Sequence, residues 1–113
     1  MTAYTIGLFR TNELHIDVVE YLEKLQSTLD PYDGKFLVHG GEVESYEGDW
    51  DRDVVLIEFP TMEQARSWYN SPAYQEILPL RTRHIGGDAF LVQGVAENYH
   101  PQEKADLFRR KLS

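Results

Sequence analysis

Residues 53–59 read DVVLIEF, seven residues closed by Pro60, and this run constrains the chain more than any other. β-Branched and aromatic side chains favour an extended strand, and the following proline cannot donate to a sheet ladder. A strand with one wet face alternates apolar and polar residues, yet Val54, Val55, Leu56 and Ile57 are apolar on both faces. Phe90, Leu91 and Val92 repeat the pattern near the other end of the chain. A fold built on these strands therefore needs cover on both sides of its sheet.

The remaining periodicities supply the cover for one side. Ala3 to Arg10 is a short β-favouring run. Leu14, Val18, Leu22, Leu25 and Leu29 recur at helical spacing, so a helix is predicted over about Glu13 to Leu29, capped by Thr11 or Asn12 and stopped by Asp30-Pro31-Tyr32-Asp33-Gly34. Lys35 to Gly40 reads as a strand, with Gly40-Gly41 ending or bulging it before Val43 to Tyr46. After Pro60, Thr61 and Gln64 have capping-box spacing, and Met62, Ala65, Trp68 and Tyr69 form an inner face. Asn70-Ser71-Pro72 then splits this helical region in two, because Ser71 can cap and Pro72 suits a first helical position. Pro79 predicts a further kink, Gly86-Gly87 an end to the region, and Ala89 to Val95 a last strand.

The order β-α-β-β-α-β is the ferredoxin-like split β-α-β arrangement, an α+β fold with an antiparallel four-stranded sheet and both helices on one face. Residues 1–96 form that single domain, and residues 97–113 are a tail with the apolar contacts of a short helix. In a chain of 113 residues the spare cover for the second face is another copy, the C-terminal tail having too few apolar residues to do it alone, so a homodimer with packed sheets is predicted.

An ordered set of residues also resembles a known family. Gly34 to Val38 with Gly40-Gly41, Glu47-Gly48 with Trp50, Val55 to Phe59, Ala65, Trp68-Tyr69, Ser71-Pro72 with Tyr74, Pro79-Leu80-Arg81 and Gly94 are similar to the pattern of domain-of-unknown-function family 1330. The resemblance spans about Tyr4 to Val95 and implies a dimeric α+β barrel, with no reaction attached. Lys35 stands where that pattern more often has arginine, keeping the charge without the bidentate fork.

Charge and composition exclude several classes of function. Nineteen acidic against eleven basic residues give a net charge of -8, so a nucleic acid would be repelled. Residues 99–113 carry four basic and two acidic residues, which leaves the preceding body at -10. Without cysteine there is no disulfide framework, thiolate metal site or thiol catalysis. No apolar run approaches the roughly 18 residues of a membrane span, and MTAYTIGLFR has no basic region before an apolar one, so a soluble cytoplasmic protein is expected.

The polar residues of the strands are the candidate chemistry. The first and third strands are expected to be parallel neighbours, which brings Arg10 and Glu58 to the same end of the sheet, either as an ion pair or with Glu58 as a general acid or base in a dry pocket. His39 is a proton-transfer candidate or a hydrogen-bonded structural residue. Trp68, Tyr69 and Tyr74 either wall a pocket or pack as core, and Arg81 either pairs with the acidic body or binds a small carboxylate. His15, His39, His84 and His100 have no metal-ligand spacing, so no metal is expected. Axial haem ligation by His84 rests on fold analogy alone, and no cofactor is expected.

Two functions follow. One is a homodimer that binds or turns over a small organic molecule, without a cofactor, in a pocket between sheet and helices. Its catalytic candidates are Glu58 and His39, and its ligand-binding candidates Arg10, Trp68, Tyr69, Tyr74 and Arg81. The other is a non-catalytic dimer acting through a partner surface.

Overall fold

The computed structural model describes residues 1–113. Strands β1 (Ala3–Thr11), β2 (Lys35–His39), β3 (Asp53–Phe59) and β4 (Ile85–Gln93) form one antiparallel sheet in the order β2-β3-β1-β4. Helices α1 (Ile16–Leu29), α2 (Met62–Tyr69) and α3 (Pro72–Thr82) cover one face, and α4 (Gln102–Leu112) follows the last strand. This is the α+β, ferredoxin-like arrangement expected from the order of elements.

The pleat sorts the strand residues cleanly. Ala3, Ile57 and Phe59 point to the helices and join Tyr21, Leu25, Leu29, Ala65, Trp68, Tyr74 and Ile77 in one buried cluster. Opposite-pointing residues make the second face: Ile6 lies between Leu56 and Phe90, Tyr4 between Glu58 and Val92, and Val38 beside Leu56. Phe90 and Val92 remain 44% and 40% exposed there. No helix of the chain is long and apolar enough to cross a membrane.

Several local expectations change. β1 and β3 run antiparallel, with Tyr4 opposite Glu58 and Phe9 opposite Asp53, so Arg10 and Glu58 sit at opposite ends of the strand pair. Arg10 pairs instead with Asp51 at 2.8 Å. His15, not Thr11 or Asn12, caps α1, its Nδ1 accepting from the Asp17 amide. Asp33 takes the left-handed conformation, whereas Gly34 is required for space, since a Cβ there would come within 2.7 Å of Leu29. The β2 bulge falls at Leu37, between Phe36 and Val38. Residues 43–46 form no strand, and the exposed connection to β3 carries five acidic residues from Glu42 to Asp51.

Pro79 lies inside α3 without ending it, and β4 begins at Ile85, so Gly86 and Gly87 belong to the strand. Gly87 has φ 128°, and a side chain there would collide with the Leu8 carbonyl of β1. A glycine pair that reads as a terminator is here the place where two backbones approach closely.

Candidate functional site

The joint between α2 and α3 builds the deep wall of a cavity. Thr61 caps α2, its Oγ1 accepting from the Gln64 amide, and Ser71 caps α3 by accepting from the Tyr74 amide at 3.3 Å. Breaking the helix at Asn70-Ser71 redirects Tyr74 onto the preceding turn. Its ring packs 4.1 Å from Trp68 and 5.4 Å from Tyr69, centroid to centroid. Trp68 in turn donates from Nε1 to Thr28 Oγ1 at 3.0 Å, which fixes the indole against α1.

Between this aromatic wall, α1 and the sheet lies a cavity of about 280 Å³. Its floor is the helix-facing side of the sheet, at Thr5, Gly7, Phe9, Val55 and Ile57. Val18, Tyr21 and Leu25 from α1, with Trp68, Tyr69, Tyr74 and Arg81, close its depth. The rim is open: Leu14, His39, Gly40 and Asp53 are exposed there. Fourteen of the 21 lining residues are hydrophobic, so the few polar groups decide what it can hold.

Three polar features stand out. Tyr21 and Tyr74 share a hydroxyl–hydroxyl hydrogen bond of 2.8 Å, and burial, with Tyr74 beside it, pushes the Tyr21 phenol well above its usual value, so it stays neutral. Arg81 is 8% exposed, its guanidinium carbon 4.5 Å from the centre of the Phe9 ring. Two buried side-chain polar atoms of the chain have no hydrogen-bond partner, Thr5 Oγ1 and Arg81 Nε, and both residues line this cavity.

The candidate residues therefore divide. Trp68, Tyr69, Tyr74 and Arg81 lie together at the cavity, and His39 stands at its rim, stacked on Phe36 with centroids 4.5 Å apart. Arg10 and Glu58 do not line it: both point to the opposite sheet face, because side chains alternate and Phe9, Ile57 and Phe59 take the inward positions. The Arg10 guanidinium holds the exposed Asp51 carboxyl below its usual value. Thr5 and Tyr21 were missed by sequence reasoning. Thr5 is a lone hydroxyl in an apolar strand, and Tyr21, three residues after Val18 and four before Leu25, holds the place on the buried stripe of α1 that the apolar pattern gives to Leu22, which is exposed.

A second cluster also escaped the sequence reading. His15, Asp17 and His84 bring three ligand-type atoms within 4.8 Å of one another beside the cavity residues Leu14 and Ile85. The imidazoles stack with centroids 4.0 Å apart, only 9° from parallel. His84 Nε2 lies 3.0 Å from Asp17 Oδ2, and this hydrogen bond holds the Asp17 carboxyl below its usual value. His15 Nδ1 already accepts from the Asp17 amide, and in-plane lone pairs of parallel rings do not converge on one ion. Local bonding accounts for the cluster as a clasp between the start of α1 and the start of β4.

Similar proteins share this architecture. No curated protein matches the chain. Among solved structures, the RPA0582 protein of unknown function from Rhodopseudomonas palustris is similar with a TM-score of 0.61 at 14% identity, over 84% of this chain and 83% of that one. SnoaB from Streptomyces nogalater, described as a cofactor-independent oxygenase, has a TM-score of 0.59 at 8% identity, covering 88% and 98%. A dimeric ferredoxin-like protein of unknown function from Thermobifida fusca has a TM-score of 0.55 at 19% identity, covering 85% and 92%. The pattern of the family described as "Domain of unknown function (DUF1330)" matches residues 2–95, and the chain belongs to that family.

Proposed function

We propose that this protein is a cytoplasmic homodimer that holds a small, mostly apolar organic molecule in the cavity between sheet and helices, and binds it or turns it over without a resident cofactor. One observation carries the reading: about 280 Å³ of space sits behind Trp68 and Tyr74, where a packed core leaves few voids larger than a water molecule. His39, at the rim, is the candidate for proton transfer to a molecule entering there. Glu58 drops out of this role because it faces the other side of the sheet.

The dimer is supported by the bare apolar face around Ile6, Leu56 and Phe90, and by a fold relative described as dimeric. SnoaB is a precedent, by fold alone, for chemistry without a cofactor in this architecture. The charge of -8 weighs against nucleic acid as a partner.

A thermal-shift screen of small aromatic and alicyclic compounds tests the reading. A compound at 100 times its Kd stabilises the native state by about 2.7 kcal/mol, a rise of several degrees in Tm. Stabilisation by a compound that weakens in Tyr74→Trp, whose larger ring intrudes on the cavity and removes the Tyr74 hydroxyl, is the expected result. No stabilisation by any compound contradicts it. A non-catalytic interaction role is the second reading, favoured by α4, which leaves Phe108 and Leu112 at 55% and 88% exposed beside Arg109, Arg110 and Lys111. Deleting residues 97–113 abolishes partner binding on that reading, and leaves ligand binding intact on the first.

A further inference from the structure

Resting on the reading of the cavity as a ligand site, we infer that its ligand is an organic monoanion with an apolar body, a monocarboxylate in the simplest case, and that Arg81 is the cation that receives it. Arg81 carries a charge that no acid of the chain pairs. Arginine stays protonated in proteins. At 8% exposure Arg81 has lost nearly all its water, and a buried charge without a partner costs several kcal/mol.

The chain offers it no acid. Its ion pairs join Arg10 to Asp51, Lys24 to Glu20, Arg52 to Asp88, and His15, Arg83 and His84 to Asp17. Asp53, which also lines the cavity, lies on the exposed rim and makes no ion pair with Arg81. Stacking on Phe9 at 4.5 Å offsets part of the cost, roughly 0.5–2 kcal/mol, but satisfies none of the N–H groups. The Nε has no acceptor and is sealed from the cavity, so an entering oxygen meets the rest of the guanidinium, beside Tyr21 and Tyr74.

The neighbours select the rest of the ligand. In the Tyr21–Tyr74 pair one hydroxyl donates to the other, so the acceptor's own O–H remains free to donate to an anion. A planar carboxylate matches the guanidinium fork, and one cation balances one negative charge. The remaining walls are apolar and aromatic, and 280 Å³ lies just below the roughly 300–1,000 Å³ span of ligand pockets, which fits one ring with a short arm.

Calorimetric titration of the intact protein with benzoate, phenylacetate and 3-phenylpropanoate, each beside its neutral amide, and with inorganic phosphate tests the inference. At least one carboxylate is expected to bind about tenfold or more tightly than its amide, the scale of a single charge-assisted hydrogen bond. In Arg81→Met that carboxylate falls to the affinity of the amide, while the amide itself changes by less than about threefold and so reports a folded cavity. Arg81→Lys recovers only part of the loss, because the fork is gone. Equal affinity for acid and amide in the unaltered protein overturns the monoanion and leaves the cavity as a site for neutral molecules. Phosphate binding as tightly as the best carboxylate overturns the apolar body. Failure of every acid and amide to bind overturns the inference together with the reading of the cavity.

Discussion

The two faces of the sheet are built from the same kind of residue and meet different fates. On one face Ile57 and Phe59 vanish beneath α1, α2 and α3, at 3% and 0% exposure. On the other, Ile6, Leu56 and Val92 form an equally apolar surface that no helix of the chain covers. The covered face holds a cavity with a buried cation, whereas the bare face leaves Phe90 and Val92 at 44% and 40% exposure. On the function proposed above, apolar character on both sides of a strand serves two different partners: the chain's own helices with a ligand on one side, and a second copy on the other.

Substitutions can break that contrast. The largest effect belongs to the covered face: Trp68→Ala removes a side chain at 2% exposure together with its bond to Thr28, and is expected to cost about 3–5 kcal/mol in chemical denaturation. A cost under about 1 kcal/mol would mean that Trp68 does not hold the core together. On the bare face, Phe90→Asp places a charge where the second copy would sit. The expected product is a folded monomer in sedimentation at low micromolar concentration, with dimerisation weakened by about 2 kcal/mol or more. An unchanged dimer would move the interface elsewhere.

The smallest effect is at the clasp beside the cavity mouth. The Asp17 carboxyl is held below its usual value by His84, so its contribution to stability is complete above the unfolded-state pKa near ~3.9 and is lost as pH falls through the lower folded-state value. Asp17→Asn should flatten the fall of Tm below about pH 4 and change the acid response of neither sheet face. A parallel curve for the variant would show that the clasp carries no acid sensitivity.

How much of this was legible depended on how local the signal was. Asp53–Phe59 is legible to the residue because its own composition marks a strand and the adjacent Pro60 ends it. The joint at Asn70-Ser71-Pro72 was equally local, and it led to Trp68, Tyr69 and Tyr74 as a group. Non-local relations fared worse. The Arg10–Glu58 pairing failed on strand direction: β1 and β3 are neighbours in an antiparallel sheet, as the order of elements already implied, so their C-terminal residues lie at opposite ends. The start of β4 at Ile85 is masked by Gly86-Gly87, which carries a stop signal in sequence and is explained only by the nearby Leu8 backbone. The His15–Asp17–His84 clasp joins residues up to 69 positions apart, and the orphaned state of Arg81 depends on every acid in the fold lying elsewhere.

The two tryptophans provide the most direct test of the central claim. Trp68 lines the cavity, whereas the Trp50 indole donates to the Arg52 carbonyl in the exposed connection before β3. In NMR spectra of the labelled protein, titration with phenylacetate is predicted to shift the Trp68 indole signal and the Tyr74 amide in a saturable way, leaving the Trp50 indole and the side-chain methyls of Ile6, Leu56 and Val92 unmoved. Shifts confined to the bare face or to Trp50, or a spectrum unchanged at millimolar ligand, would contradict the assignment of the covered cavity as the binding site.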